Sequence, residues 1–284
     1  MRRRISRPRP LAVGLLLALL LAPGAAAPQG GTILLATTTS TQDTGLLDVL
    51  VPLFQKQTGY TVKTIAIGTG QSLELGDRGE ADVVLVHAPK LELEYLVKGN
   101  LINRRLVMHN DFILVGPAAD PAGIRGAKKA ADALKKIAER GAKFVSRGDN
   151  SGTHNKERDL WKAAGITPEG SWYIESGQGM GATLTIASEK GTYTLTDRAT
   201  YLAFKKRIQL AILLEGDAPL LNVYHVMEVN PARYPKVNAA AGKAFADFMV
   251  SPETQEVIRT FGVDKYGQPL FFPDAGKPEP GNEG

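Results

Sequence analysis

The stretch "GTILLATTTSTQDTGLLDVLVPLFQKQTGYTVKTIAIGTG", Gly31 to Gly70, decides the fold. "GTILLATTT" is an almost unbroken apolar run ending in threonines, the pattern of a strand covered on both faces. "TGLLDVLVPLFQKQTG" places Leu46, Leu47, Leu50, Leu53 and Phe54 on one face at helical spacing, and Gly59 stands where a helix ends. "YTVKTIAIGTG" reads as the next strand. Strand, helix and strand in this order predict a βαβ unit with parallel strands, because a crossover helix lets the chain re-enter the sheet in the same direction.

Further along, "QSLELGDRG" reads as a short helix and "ADVVLVHAP" as a third strand, extending the unit to βαβαβ. "RRLVMHNDFILVGP" is a long strand that leaves it, and "ADPAGIRGAKKAADALKKIAERGAKFVS" begins a second α/β unit near Ala118. The helix "HNKERDLWKAAG", the turn-rich "GQGMGATLTIASEKG" and the strands "TYTLTD" and "IQLAILLEG" continue that unit. "LLNVYHVMEVNP" crosses back, and helices in "KVNAAAGKAFADFMVS" and "PETQEVIRTFG" pack on the first unit. The expected division is residues 28–117 plus 222–272 in the first lobe and 118–221 in the second. The Pro/Gly-rich tail, 273–284, is expected to be disordered.

The first 27 residues stand apart. "MRRRISRPRP" carries five arginines and no acid, "LAVGLLLALLLA" is apolar from Leu11 to Ala22, and "PGAAAP" supplies small residues for cleavage near Ala26 or Ala27. That is a secretory signal peptide over residues 1–27. Its apolar run falls short of the ~20 residues that span a bilayer, so the mature chain is expected to be exported and soluble. Arg2, Arg3 and Arg4 hint at twin-arginine export, although the residues after them fit that signal poorly. Cleavage takes five of the 34 Lys and Arg and none of the 29 Asp and Glu, which leaves the mature chain about neutral. A neutral chain argues against the basic patch of a nucleic-acid binder. With no cysteine, disulfides, thiolate metal sites and a lipid-modified cysteine anchor are excluded.

Three stretches rich in Gly and hydroxyl side chains fall where strands give way to helices. They are "ATTTST" with Thr38, Thr39 and Ser40, "GTGQS" with Gly70, Gln71 and Ser72, and "SRGDNSGTHNKE" with Arg147, Ser151, Gly152 and Thr153. In open α/β sheets ligands bind at the carboxyl ends of strands, where helix N-termini present free N–H groups and partial positive charge. Three converging ends would make an anion site, and the planar fork of Arg147 suits a tetrahedral oxyanion because it donates to two oxygens at once. Each stretch also has a plain reading: Ser and Thr cap helices, Gly turns the chain, and Arg147 can pair with Asp149 at the surface.

Other chemistries fit less well. "GTGQSL" lacks the lysine of a P-loop, and neither it nor "GQGMGA" completes GxGxxG, which disfavours a nucleotide. Ser151 with His154 as base would make a hydrolase, but "GDNSG" is one residue too long for a nucleophile elbow, and His154 lies close by on the same helix. His154 and Glu157 offer two metal ligands without a third. His87, His109 and His225 occur singly near strands and read as structural.

On these residues the chain resembles the periplasmic substrate-binding proteins of tungstate ABC importers, a branch of the type 2 periplasmic-binding-protein family. The stretches that carry the resemblance are "ATTTSTQDTGLLDVLVPLF", "GTGQSLELGDRGEADVVLVHAP" and "SRGDNSGTHNKE", and it covers nearly the whole mature chain. It implies a two-lobed α/β fold, each lobe a mainly parallel sheet flanked by helices, closing on an oxyanion between them. Family contacts fall here on Thr39, Ser40, Gly70 and Gln71, and in the second lobe on Arg147, Ser151, Gly152 and Thr153. Met180 and Gly181 of "GMGATL" and Thr194 match further contacts. The resemblance implies tungstate or molybdate as ligand, the membrane permease of an ABC importer as partner, a periplasmic monomer, and neither catalysis, cofactor nor metal.

The alternative within the fold is a phosphate-binding protein. Phosphate keeps a proton at neutral pH and needs a carboxylate acceptor, for which Asp149 is the candidate. From other classes come a secreted serine hydrolase using Ser151 and an adhesion protein presenting Arg147-Gly148-Asp149 as an integrin tripeptide.

Overall fold

The computed structural model describes residues 30–280; the expected signal peptide, residues 1–27, and residues 281–284 lie outside them. β1 (Gly31–Thr38) runs parallel to β2 (Tyr60–Ile67) on one side and to β3 (Val83–Val86) on the other. α1 (Thr39–Asp43), α2 (Leu46–Thr58) and α3 (Thr69–Asp77) fill the crossovers. Being central, β1 is covered on both faces. Ile33 and Leu35 share a core with Leu46, Leu47, Leu50 and Phe54 of α2, while Ala36 packs with Leu73 of α3 on the other side. Leu53 is only partly buried. Gly59 caps α2 at φ +76, a left-handed conformation that a residue without Cβ adopts freely.

α4 (Pro89–Val97) leads into β4 (Leu101–Pro117), the long strand on which the architecture turns. The second unit comprises α5 (Ala130–Glu139), β5 (Phe144–Ser146), α6 (Gly152–Ala163), β6 (Tyr173–Glu175), α7 (Met180–Lys190), β7 (Thr194–Asp197), α8 (Arg198–Phe204) and β8 (Leu210–Leu214). β9 (Leu221–Val229) returns, and α9 (Ala239–Met249), α10 (Pro252–Thr260), α11 (Val263–Tyr266) and β10 (Phe272–Pro273) complete the first unit. From Leu101 to Asp111, β4 pairs with β9; from Phe112 to Pro117 it pairs with β7 and β8. Phe112 and Leu114 join Leu134, Ile137 and Trp161 in the second core. Ile113 and Val115, pointing the other way, belong with Met180, Leu184 and Tyr201 to the same apolar cluster as Phe54 and Phe245. One strand thus ties both units together.

Three features differ from the sequence expectation. The sheets are mixed, since β4 and β9 enter antiparallel to their neighbours while β1, β2 and β3, and likewise β5 and β6, stay parallel. Strands that carry the chain out and back between units necessarily run in opposite directions. The stretch "GMGATLTIASEK" is not turn-rich but opens helix α7. Its glycines serve close approach, since the Phe204 ring fills the space where a Cβ on Gly181 would stand.

The tail is docked over its described part. Phe272–Pro273 pair with Met108 and His109, and Asp274 is buried against His109 Nδ1 at 2.5 Å. Glu279 receives two hydrogen bonds from Arg104, which also donates to the buried Glu92 beside His225. Charge pairing, invisible in a Pro/Gly-rich composition, holds this segment.

Gly242 of α9 lies against the carbonyl oxygen of Asp82, 2.6 Å from where a Cβ would stand. Alanine for glycine in a helix gains about 1 kcal/mol, but forcing a methyl onto backbone costs about 1–3 kcal/mol. Gly242→Ala is therefore expected to lower the melting temperature followed by circular dichroism; an unchanged or higher value would contradict this packing.

Glu157 is 1% exposed and accepts from Trp161 Nε1 at 3.1 Å and the Tyr173 hydroxyl at 2.7 Å. Burial outweighs these donors and pushes its carboxyl from 4.5 up to about 7. A carboxyl raised in the folded state costs nothing below about pH 4.5 and destabilises progressively as pH rises through about 7, by an amount of order 3 kcal/mol. Glu157→Gln should gain in melting temperature over the parent as pH goes from 5 to 8. A difference between the two proteins that ignores pH would rule this out.

Candidate functional site

Five helices begin at the carboxyl ends of strands on the side where the two units meet. Thr38, Ser151 and Asp197 cap α1, α6 and α8 by accepting from Thr41 N, His154 N and Thr200 N. α3 and α7 begin after Gly68 and Gly179, which supply no side-chain cap and leave first-turn N–H groups for other acceptors. At this junction the units already touch. Gly152 N donates to Thr69 Oγ1 at 2.9 Å, Gly181 N to Asp43 Oδ2 at 3.2 Å, and Thr200 Oγ1 to the Ser40 carbonyl at 3.5 Å. A Cβ on Gly70 would stand 2.8 Å from Asn150 Nδ2, so a larger residue there would push the Asn150 side chain aside.

Arg147 sits at the centre, only 2% exposed. Left-handed Gly148 at φ +62 and Asn150 at φ +56 fold the loop after β5 so that the guanidinium turns inward. Nη2 donates to Asp149 Oδ2 at 2.5 Å and to Thr39 Oγ1 at 3.1 Å across the junction, and Nε donates to the Gln178 carbonyl at 3.3 Å. Nη1 is buried with no partner, as is the hydroxyl of Thr153 on the first turn of α6. Asp149 is held twice, since its Oδ1 accepts from Ser151 N at 3.1 Å.

Of the residues singled out from sequence, Thr38, Thr39, Ser40, Gly70, Arg147, Ser151, Gly152, Thr153, Met180 and Gly181 gather here at helix starts or between them. Gln71 is exposed, with Oε1 accepting from Gly68 N at 3.3 Å. Ser72 donates to the Thr37 carbonyl at 2.6 Å and braces the α3 start from behind. Thr194 is not brought in: it opens β7 opposite Val115, three residues and about 10 Å of strand before Asp197 at the junction.

Residues that sequence reasoning passed over complete the wall. Asp197 is fully buried, and its Oδ2 is the one carboxylate oxygen without a partner among the buried side chains of the described residues. Burial raises its carboxyl to about 6, against hydrogen bonds from Thr200 and the nearby Arg147 charge. Its cap position before "RAT" was the available signal. His87, ending "VVLVH", lies with its Nε2 3.1 Å from both Thr38 Oγ1 and Ser40 Oγ, and burial lowers its pKa to about 4, so it is neutral. His109 and His225 pair with Asp274 and Glu92, away from the junction.

The geometry answers the other chemistries. Ser151 Oγ is engaged as a cap, and His154 Nδ1 accepts from Asn150 N at 2.9 Å, so no nucleophile–base hydrogen bond exists between them. Glu157 is buried with Trp161 and Tyr173 rather than placed beside His154. A groove of about 870 Å³ runs between α4 and α6 past Lys90, Lys156 and Asp159 and shares only His87 and Gly152 with the cluster named here. It is far larger than a tetrahedral oxyanion and holds none of the unpartnered donors. The unpartnered donors Arg147 Nη1 and Thr153 Oγ1 lie at the junction instead.

A family model described as the PBP superfamily domain matches residues 23–253. Over 249 residues the chain is 50% identical to the tungstate-binding protein TupA of Peptoclostridium acidaminophilum, covering 87% of each chain. Among solved structures, the tungstate ABC transporter of Geobacter sulfurreducens superposes with a TM-score of 0.75 at 52% identity, over 81% of this chain and 98% of that one. The tungstate-binding protein TupA of Desulfovibrio alaskensis gives 0.72 at 46% identity, over 86% and 99%. The chain belongs to the PBP superfamily, in the family of these tungstate-binding proteins.

Proposed function

We propose that this chain is the exported, periplasmic binding protein of an ABC importer, capturing tungstate, with molybdate as a second ligand, and delivering it to the membrane permease. It works as a monomer, without catalysis, metal or cofactor. The observation that carries this reading is the buried Arg147 Nη1, left without a partner between the two lobes. A buried cationic donor is costly to leave unmade, and an oxyanion held there satisfies it. Thr153 Oγ1 and the uncapped starts of α3 and α7 supply further donors. Ligand contacts are thus assigned to Thr39, Ser40, Gly70, Arg147, Thr153, Met180 and Gly181. Lobes comprising residues 28–117 with 222–272, and 118–221, open about β4 and β9. The anion favours closure because only the closed state offers donors from both.

A phosphate-binding role has one observation in its favour, the unpartnered Oδ2 of Asp197, which could accept the proton that phosphate retains. Asp149, the acceptor expected from sequence, is instead occupied by Arg147 and Ser151. Adhesion through Arg147-Gly148-Asp149 is disfavoured by the burial of the arginine.

Calorimetric titration of the mature protein against tungstate, molybdate, sulfate and phosphate tests the reading. Tungstate is expected to bind far more tightly than phosphate; the reverse order would favour the Asp197 reading. Arg147→Ala should weaken tungstate binding by ~2–5 kcal/mol, since the buried dianion loses charge-assisted donors. Arg158→Ala, at an exposed position of α6, should change it little. An Arg147→Ala protein that stays folded and binds within twofold of the parent would refute the assignment.

A further inference from the structure

A chain of buried polar side chains runs from the junction into the two strands that cross between the lobes. The His87 ring is stacked on Tyr224 with centroids 4.6 Å apart. Its Nε2 faces Thr38 Oγ1 and Ser40 Oγ, and its Nδ1 is 2.8 Å from Asn222 Oδ1. Asn222 Nδ2 is 2.7 Å from Asn110 Oδ1 and 3.1 Å from the Tyr224 hydroxyl. Asn110 lies on β4, and Asn222 and Tyr224 on β9. From the second lobe, Gly152 closes over the ring: a Cβ there would stand 2.9 Å from His87 Cε1.

These heavy-atom positions serve two arrangements of hydrogens, since an amide turned end for end keeps its shape and a neutral imidazole has two tautomers. In the first, Asn222 Nδ2 donates to Asn110 Oδ1, and His87 Nδ1–H donates to Asn222 Oδ1. Nε2 must then accept, which draws a hydroxyl hydrogen of Thr38 or Ser40 away from the cleft. Asn110 Nδ2 is left buried without a partner.

In the second arrangement both amides are turned. Asn110 Nδ2 donates to Asn222 Oδ1, which also accepts from the Tyr224 hydroxyl, and Asn222 Nδ2 donates to His87 Nδ1. His87 Nε2–H then donates to the hydroxyl oxygens; the Thr38 hydroxyl, 2.7 Å from Thr41 Oγ1 and 3.1 Å from Ser40 Oγ, is engaged within the cap, and Ser40 keeps its own hydrogen for a ligand. The unpartnered group becomes a carbonyl oxygen rather than an amide nitrogen, the more tolerable of the two. Every hydrogen in the chain points toward the cleft. An anion without a proton can only accept, so it binds the second arrangement better and shifts the population toward it.

We infer that His87 is a positioning residue: through Asn222 and Asn110 on the crossing strands it takes the Nε2–H tautomer when ligand binds, and so turns the Ser40 hydroxyl onto a proton-free oxyanion. This rests on the oxyanion reading above. The test is long-range proton–nitrogen NMR of the mature protein with 15N-labelled histidine, the His87 signals being identified by their loss in His87→Gln. With tungstate bound, His87 is expected in the Nε2–H tautomer; the Nδ1–H tautomer in the bound state overturns the inference.

Calorimetry adds a second reading. His87→Leu, which has no ring N–H, is expected to bind tungstate at least tenfold more weakly, and His87→Gln, whose amide can donate to the same hydroxyls, to recover most of the loss. A folded His87→Leu protein that binds within twofold of the parent also overturns it; should that variant not fold, the tautomer decides. A parent protein that binds none of the four anions removes the functional reading and this inference together. A parent that binds tungstate with the wrong tautomer removes only the inference.

Discussion

A guanidinium buried between two domains with one nitrogen unsatisfied is the constraint around which the structure is arranged. Arg147 has an anionic partner in Asp149, and that ion pair makes its burial tolerable. The pairing occupies Nη2 and leaves Nη1 directed elsewhere. A doubly charged ligand added to a neutral Arg147–Asp149 pair needs more positive potential than the pair provides. The starts of α3, α6 and α7 supply it as aligned peptide dipoles and N–H groups, without a second cation. Such a site would favour acceptor-only anions, and its donors other than Arg147 come from the backbone or short side chains with little entropy to lose.

β4 and β9 carry the chain between the units, and the same β4 contributes side chains to apolar clusters on both of its faces, one of which takes residues from both units. Across the junction lie hydrogen bonds between small residues, the Arg147–Thr39 hydrogen bond and the Lys90–Asp159 ion pair, with Gly70, Gly152 and Gly179 allowing close approach. The polar chain through His87, Asn222 and Asn110 sits where the crossing strands meet the site.

Much of this was legible in the sequence because it rests on local patterns. The period of "GTILLATTT" and of the α2 leucines gave the βαβ unit, and hydroxyl-rich strand ends gave the helix starts that converge. Arg147 was legible as a candidate because its loop joins a strand to a capped helix. What escaped depends on contacts distant in sequence. His87 and Asn222 are 135 positions apart, and nothing local marks either as part of a chain. Asp197 read as the end of a strand because the Arg147 charge near it comes from another loop. Gly179 and Gly181 of "GQGMGA" looked like turns because composition cannot distinguish φ freedom from the need for close approach, which here comes from Thr39 and Phe204. The tail looked disordered because its anchors, Arg104 and His109, lie far upstream.

The most direct test of the account is a crystal structure of the mature protein grown with tungstate, with the metal located by its anomalous scattering. The account predicts one strong peak at the junction, with a tungstate oxygen about 2.7–2.9 Å from Arg147 Nη1, the range of charge-assisted hydrogen bonds. A peak in the groove between α4 and α6, or an ordered structure in which Nη1 stays unpartnered with tungstate bound elsewhere, would contradict it.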